Sequence, residues 1–219
     1  MAKTVRMVAE VLLDKCTGCG LCVNVCPTVA LSLRGRTEED PKGPGTRRVA
    51  ALVEDACYNA QNCVEICPED ALTMHVLQEP FHVTTTADDT EREAVAALCR
   101  HAGVHPKQPI CFCAETRASE IAAAILRGAS SPEEVSLATG ARTGCTELCQ
   151  QPILRLLEAA GNVNIAKNPP GGFQWYGVAA TAVDLLDGSG HVAPEYARQY
   201  PIYPLDRDAQ ALRGNFEEA

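Results

Sequence analysis

The stretch CTGCGLCVNVCP, which begins at Cys16, has four cysteines spaced C-x2-C-x2-C-x3-C and then a proline. Three thiolates at three-residue steps in a tight loop can reach three corners of one iron–sulfur cube. The small residues Thr17, Gly18 and Gly20 let the backbone wrap closely around it. Cys26 falls at the start of the next helical turn and is expected to point toward a second cluster. This run predicts a chain that folds around metal clusters.

A second run, CYNAQNCVEICP from Cys57 to Pro68, repeats the first. Ala60 stands where the first run has Cys19. The flanks repeat too, since EVLLDKC and ALVEDAC precede the two runs and PTVAL and PEDAL follow their cysteines. An internal duplication of this kind predicts two similar halves.

Residues 1–78 resemble the dicluster bacterial ferredoxins, with an enlarged polar loop, RGRTEEDPKGPGTRR, between the halves. The resemblance implies a ferredoxin-like βαββαβ fold. It also implies a [4Fe–4S] cluster whose ligands are Cys16, Cys19, Cys22 and Cys67. Cys26, Cys57 and Cys63 remain for a second cluster.

The nuclearity of that second cluster depends on the missing fourth thiolate. Three thiolates with alanine at the open corner favour a [3Fe–4S] cluster, which some ferredoxins with this spacing carry. Two alternatives stay open. One is a [4Fe–4S] cluster with water or a partner's oxygen as its fourth ligand, and the other is a structural zinc site.

A second cysteine module lies at residues 110–161, ICFCAETRASEIAAAILRGASSPEEVSLATGARTGCTELCQQPILRLLEAAG. Its pattern predicts three short helices that end at glycines, with Thr116 capping the first, Ser131 and Pro132 opening the second and Pro152 opening the third. Four thiolates are expected to converge from two loops, each beside a helix N-terminus whose free N–H groups stabilise negative charge. These are Cys111, Cys113, Cys145 and Cys149.

The module resembles the BFD-like [2Fe–2S] domain of bacterioferritin-associated ferredoxin through its C-x-C, TGA-x-TGC and closing LLE. The resemblance implies a [2Fe–2S] cluster on those four cysteines. One departure is the final C-x3-C, where the family usually has C-x2-C. The alternatives are a four-thiolate zinc site and a thioredoxin-like [2Fe–2S] ferredoxin, which would use Cys99 or Cys111 at the end of a first strand.

The segment between the two modules, residues 79–107, is predicted to be a linker followed by a helix. EPFHVTTTA, residues 79–87, has proline and β-branched residues without a helical period. In DDTEREAVAALCRHAG, Thr90 and Glu93 form the pattern of a capping box. Cys99 is expected to be a buried thiol, and His101 and His105 surface imidazoles, rather than metal ligands.

The C-terminal part is predicted to contain little regular structure. In residues 162–188, VNIAK and FQWYGV flank NPPGG as a hairpin, and the short helix ATAVDLLDG follows. Residues 189–219 contain three tyrosines among prolines, which favours an extended arm that docks on another surface. A disordered tail is the alternative. The tyrosines are Tyr196, Tyr200 and Tyr203.

Composition limits the setting. The 219 residues have a net charge of −9, which argues against a nucleic-acid partner. No apolar run approaches the ~18 residues of a membrane span. MAKTVRMVAEVLLDKC lacks the features of a signal peptide, so we expect a cytoplasmic protein in which twelve cysteines are metal ligands rather than disulfides.

The sequence shows no Walker loop, no G-x-G-x-x-G, no nucleophile elbow and no catalytic constellation of histidine and carboxylate. We therefore expect an α+β protein with a dicluster domain, a small helical [2Fe–2S] domain, a hairpin and an arm. Its expected role is an iron–sulfur electron-transfer subunit of a cytoplasmic oxidoreductase whose flavin or metal site lies on another chain. Alternatives are a free-standing enzyme with substrate at the open corner near Ala60, and a cluster carrier or redox sensor.

Overall fold

The computed structural model describes residues 3–44 and 47–179, together with Pro194 and Arg198. The strands are β1 (Lys3–Val11), β2 (Leu31–Gly35), β3 (Arg48–Leu52), β4 (Leu72–Val83), β5 (Pro109–Cys111) and β6 (Thr116–Arg117). The helices are α1 (Leu21–Asn24), α2 (Asn62–Glu65), α3 (Arg92–His101), α4 (Ala118–Leu126), α5 (Pro132–Thr139) and α6 (Gln150–Ala159), with a 3₁₀ turn at Glu54–Ala56.

The first part of the chain consists of two antiparallel ribbons, each with a one-turn helix beside it. β1 pairs with β4, and β2 pairs with β3, as two separate two-stranded sheets. Val5, Val8 and Val49 are fully buried, and the register shift between Val5 and Met7 accounts for burial of both Val5 and Val8 on β1. The inward faces of the strands and several cysteines share one core. The fold therefore brings both cysteine runs to the same interior.

The strand β4 extends through the first half of the segment expected to be a linker. Lys3, Thr4 and Val5 pair with Val83, His82 and Phe81, and the register then shifts before Met7 pairs with Val76. The unpaired residues of this bulge include Pro80, which has no N–H to give to a ladder. The prediction of a linker was thus wrong for residues 79–83, which belong to β4. Pairing between β1 and β4 tolerates Pro80 because this proline lies at a bulge.

The second part is mainly helical, with the small β5–β6 hairpin at its start. Helices α3, α4 and α6 pack together, and α5 closes the core. The centre of α4 carries Ala118, Ile121 and Ala122, all fully buried, and the alanines let the neighbouring helices approach closely. None of the helices among the described residues is both long enough and apolar enough to cross a membrane.

The helix boundaries agree with the sequence in some places and not in others. Ser131 caps α5 by accepting from the Glu134 N–H at 3.2 Å, as predicted. Before α3, the Asp88 carboxylate, not Thr90, accepts the free N–H groups at the helix start. Thr116 does not cap α4, because it belongs to β6.

Two further boundaries differ from the prediction for similar local reasons. At α4, Glu120 accepts from the backbone N–H of Arg117 at 2.7 Å and so takes over the cap. Helix α6 begins at Gln150 rather than at Pro152, since a proline is accepted anywhere in the first turn, where no N–H is needed.

The predicted hairpin after α6 is wrong. Residues 162–179 contain no strand. The segment instead packs its aromatic residues on the second domain. The predicted helix at 180–188 and arm at 189–219 lie outside the described residues, apart from Pro194 and Arg198.

The packing of α4 leads to a stability prediction. Ile121 is 0% exposed at its centre, whereas Leu126 at its end is 45% exposed. Ile121→Ala should lower the free energy of unfolding by about 2–5 kcal/mol, because it removes buried methyl groups and leaves a cavity. Leu126→Ala is the matched control and should cost under ~1 kcal/mol. Urea unfolding followed by circular dichroism measures both, and equal losses would contradict this account of the core.

Candidate metal-cluster sites

Four cysteines of the dicluster half surround a cavity of about 330 Å³, called here the four-cysteine cavity. They are Cys16, Cys19, Cys22 and Cys67. Three come from the loop after β1 and the start of α1, and the fourth comes from the end of the second run. The set is the one that the sequence assigned to one [4Fe–4S] cluster.

A second cavity, of about 340 Å³, is lined by Cys26, Cys57 and Cys63 and is called here the three-cysteine cavity. Ala60 lines the same cavity, so the position without a thiol faces the space that the other three thiols surround. Tyr58 and Met74 contribute to its wall. The seven cysteines of this half therefore form the two groups expected from the sequence. Each group contains one cysteine from the other run.

The two cavities have the same backbone. Left-handed conformations occur at three pairs of equivalent positions in the two runs, although three of the six residues are not glycine or asparagine. The pairs are Gly18 with Asn59, Gly20 with Gln61, and Val29 with Asp70. A non-glycine residue in this region is strained, so the turns are imposed by their surroundings. The chain around Ala60 thus has the shape of the chain around Cys19.

Backbone N–H groups donate to the cysteine sulfurs in equivalent pairs. Ala9 donates to Cys57 and Ala50 to Cys16, while Ala30 donates to Cys26 and Ala71 to Cys67, over distances of 3.2–3.4 Å. Each bond stabilises a thiolate more than a thiol. The strands β1 and β3 therefore supply the donors for the opposite run, which ties the ribbons to the cavities.

The charge state of the cysteines shows what the cavities can accept. Burial, together with the neighbouring thiols of Cys16, Cys19 and Cys67, raises the pKa of Cys22 to about 11. Burial and the thiols of Cys57, Cys26 and Cys22 raise the pKa of Cys63 to about 12. Several thiolates in one apolar space repel each other, and positively charged iron removes that cost. The donor sets therefore fit iron–sulfur clusters.

The second domain brings its four cysteines together in two loops, called here the loop site. Cys111 and Cys149 are buried, whereas Cys113 and Cys145 are exposed. The Cys111 thiol interacts with the Cys149 thiol, and that of Cys113 with that of Cys145. Cys149 stands directly before α6, as expected, but Cys111 and Cys113 stand at the β5–β6 turn and not before a helix.

Backbone N–H groups also surround the loop site. The Cys149 thiol and the N–H groups of Arg142, Ala114 and Cys113 lower the pKa of Cys111 to about 5. The Glu147 and Leu148 N–H groups lower the pKa of Cys145. The hydrogen bond with Cys111, together with burial, raises the pKa of Cys149. The N–H groups of the loops thus stabilise negative charge on the sulfurs of Cys111 and Cys145.

Gly144 lets the two loops of this site approach. A Cβ at this position would lie 2.4 Å from Cys113 Cβ and 2.9 Å from Cys113 Sγ. Such distances are far shorter than van der Waals contact, so any side chain here would push the C-x-C loop away. The glycine in TGC therefore has a steric role that spacing alone did not show.

Cys99 lies apart from the loop site. It is 0% exposed within the helical core, and burial alone raises the pKa of its thiol to about 11. His101 Nδ1 lies 3.0 Å from the Ala159 carbonyl, which fits a role in helix packing. These surroundings support the prediction that neither residue is a ligand.

Several residues near the sites were not singled out by sequence reasoning. Arg36 of the polar loop donates to the carbonyls of Leu13 and Cys16, so the enlarged loop folds back onto the first cysteine run. Lys3 and Arg142 lie where the two domains meet. In the sequence, each of them is a basic residue among apolar or small ones. Many surface residues share that pattern, so it does not identify a functional residue.

Among the described residues, no group of three or more histidine, cysteine, aspartate or glutamate side chains is arranged to hold a metal ion. The cysteines of the dicluster half instead stand around open space. A cluster of several irons spaces its thiolates further apart than one ion does, so such cavities suit a cluster.

Comparisons with known proteins agree with the geometry. Residues 15–71 match the family described as the 4Fe-4S dicluster domain, and residues 109–159 match the BFD-like [2Fe-2S] binding domain. A probable ferredoxin of Methanosarcina thermophila is 63% identical over 27 residues, which are 12% of this chain and 47% of that protein. The chain thus covers about half the length of that relative. No solved structure matches.

The order and positions of the two matches confirm the resemblances found in the sequence, and the second supports the BFD-like reading over the thioredoxin-like one. Both families are iron–sulfur electron-transfer domains, and the relative is a probable ferredoxin. The chain joins a 4Fe-4S dicluster domain to a BFD-like [2Fe-2S] binding domain, and these families support a general role as an electron carrier.

Proposed function

We propose that this protein is an iron–sulfur electron-transfer subunit of a multi-subunit oxidoreductase. Bound clusters would accept and release single electrons, while the flavin or metal site that reacts with substrate lies on a partner chain. The observation that carries the proposal is the grouping of eleven of the twelve cysteines into two cavities and one loop site within a single chain. No other reactive constellation accompanies them in the sequence.

The residues that would hold each cluster follow from the groups. Cys16, Cys19, Cys22 and Cys67 would hold a [4Fe–4S] cluster. Cys26, Cys57 and Cys63 would hold a [3Fe–4S] cluster, or a [4Fe–4S] cluster with an outside ligand. Cys111, Cys113, Cys145 and Cys149 would hold a [2Fe–2S] cluster. Iron and acid-labile sulfide analysis with EPR on anaerobically purified protein tests these assignments, and protein without sulfide would reject them.

The loop site offers a surface for a redox partner. Its outer cysteines, Cys113 and Cys145, are exposed. Phe112 and Leu148 beside them are 72% and 75% exposed, so two large apolar side chains flank these cysteines at the surface. A cluster held here would lie close to the surface, beside exposed apolar side chains. Such a surface favours close contact with another chain, and hence electron exchange at the loop site.

The identity of the second cluster depends on the side chain at position 60. Because the backbone around Ala60 matches that around Cys19, Ala60→Cys should supply a fourth thiolate. Wild-type protein should give a [3Fe–4S] EPR signal when oxidised, and Ala60→Cys should replace it with a [4Fe–4S] signal that appears only on reduction. The matched inverse, Cys19→Ala, should create a second three-thiolate cluster. Wild-type protein with two alike [4Fe–4S] signals would contradict the [3Fe–4S] assignment.

The ligands of the [2Fe–2S] cluster can be separated from the buried thiol nearby. Cys99→Ala should leave the visible absorption and EPR signal of this cluster unchanged, since Cys99 lies in α3 and burial alone, without any other cysteine, shifts its pKa. Cys113→Ser should remove or strongly distort both signals, because an exposed ligand is replaced by a poorer one. Loss of the cluster in Cys99→Ala alone would instead favour the thioredoxin-like arrangement.

The partner is proposed to bind in part through residues 189–219, as the tyrosines and prolines of that segment suggest. Deletion after residue 188 should keep all clusters, because every proposed ligand precedes it, but should abolish co-purification with the flavin- or metal-containing subunit. The flavin content of material captured by a tag at the N-terminus measures this. An unchanged complex after the deletion would assign these residues to a solvated tail.

A further inference from the structure

We propose that Lys3 and Arg142 form a cationic bridge between the three-cysteine cavity and the loop site, and that electrons pass between the two domains at this point. The inference rests on the proposed function, since it needs clusters at both sites. The cysteines of each site would hold a cluster, and a single electron would pass from a reduced cluster at one site to an oxidised cluster at the other, without bond formation or proton transfer. The four-cysteine cavity then lies one step further from the second domain.

The first support is where the domains touch. Tyr58, which lines the three-cysteine cavity, donates from its hydroxyl to the Leu137 carbonyl at 2.7 Å. Thr85 Oγ1 donates to the Ala138 carbonyl at 2.7 Å. Both acceptors lie at the end of α5, and the chain leads from there to Cys145. The contact therefore joins the wall of one site to the loop of the other.

Lys3 adds a positive charge to this contact. Its Nζ donates to the Thr143 carbonyl at 2.8 Å and also contacts the Thr143 hydroxyl. The ammonium group interacts electrostatically with Cys111 and Cys113 of the loop site and with Cys57 of the three-cysteine cavity. Burial lowers the pKa of Lys3 to about 8, and the thiolates oppose that shift. One cation thus acts on both sites.

Arg142 is the second cation and is fully buried, with 0% of its surface exposed. Its charge interacts most strongly with Glu133, and also with Cys149 of the loop site and Cys26 of the three-cysteine cavity. The guanidinium group lies 4.9 Å and 4.6 Å from the ring centres of Phe173 and Trp175. Its backbone N–H also donates to Cys111 and Cys149. Arg142 is therefore bound to the loop site and faces the other site as well.

The hydrogen bonds of Arg142 are incomplete. Nη1 donates to Ser136 Oγ at 3.2 Å, but Nε and Nη2 have no acceptor among the described residues. Glu133, the nearby carboxylate, accepts instead from Trp175 Nε1 at 3.2 Å. A buried guanidinium left partly unpaired is costly unless other negative charge lies close by. Glu133 supplies part of that charge, and thiolate-held clusters near Arg142 would add to it.

A purely structural role does not account for these residues. Uncharged groups such as Tyr58 and Thr85 already join the domains, and burying a cation adds a desolvation cost. Two positive charges between two anionic sites, however, favour the reduced state at each. Because net charge and hydrogen bonding set cluster potentials, the bridge would raise both potentials relative to the distant third site.

The neighbour relation can be tested on the unmodified full chain. The spin relaxation of the [2Fe–2S] EPR signal should change when the cluster of the three-cysteine cavity changes oxidation state. It should respond much less to the [4Fe–4S] cluster. A response to the [4Fe–4S] cluster alone, or to neither, would overturn the proposed order. Protein without clusters would reject the proposed function itself, so the two failures are distinguishable.

The charge effect is tested by Lys3→Met in the full chain, with EPR-monitored redox titration. The equilibrium constant for reduction should fall on the order of tenfold at both the loop site and the three-cysteine cluster. For one electron this corresponds to a shift of about 59 mV. Lys3→Arg should restore the potentials, because it keeps the charge, and the four-cysteine cluster should change little in either variant.

Two controls separate charge from structure. Lys107→Met removes an exposed charge of the second domain and should shift no potential, since solvent screens it. Thr85→Val removes one hydrogen bond between the domains without changing charge. If Thr85→Val reproduced the shifts, or if Lys3→Met left both potentials unchanged, the bridge would be only a structural contact.

Discussion

The repulsion among clustered cysteine sulfurs is the constraint on which this structure depends. Thiols packed together in an apolar interior resist ionisation, as the raised pKa values of Cys22 and Cys63 show. Bound iron would remove this repulsion. Backbone N–H groups from β1, β3 and the turns after each run stabilise the negative charge on the sulfurs and so lower the repulsion further. The ribbons therefore do more than enclose the cavities. They hold backbone N–H groups against the sulfurs, as a bound cluster would require.

The sequence predicted the parts of the fold that depend on local spacing. The duplication predicted two equivalent cavities, and the structure shows them with matching left-handed residues such as Gly20 and Gln61. Ser131 and Pro132 identified the start of α5. These features were predictable because the residues that determine them are neighbours in the chain, and a turn or cap leaves a short pattern.

The features that the sequence did not predict depend on distant partners. Residues 81–83 pair with the start of β1, which joins the two ends of the first domain. The unpaired Pro80 before them made the segment resemble a linker in the sequence. The hairpin at 162–179 failed because Phe173 and Trp175 pack on Arg142, a residue far away in sequence. Lys3 gave no signal at all, since its role depends on a contact with Thr143 in another domain.

The segment after α6 covers Arg142 with aromatic side chains, and this contact accounts for its position on the second domain. Phe173 and Trp175 stack with ring centres 5.6 Å apart and lie against the guanidinium group. Aromatic faces attract a cation while excluding water, so the positive charge is stabilised without being screened. A charge kept from solvent acts on its surroundings through a lower effective dielectric and over a longer range. In the proposed bridge, residues after α6 that hold no ligand would therefore strengthen the electrostatic effect of Arg142 on its surroundings.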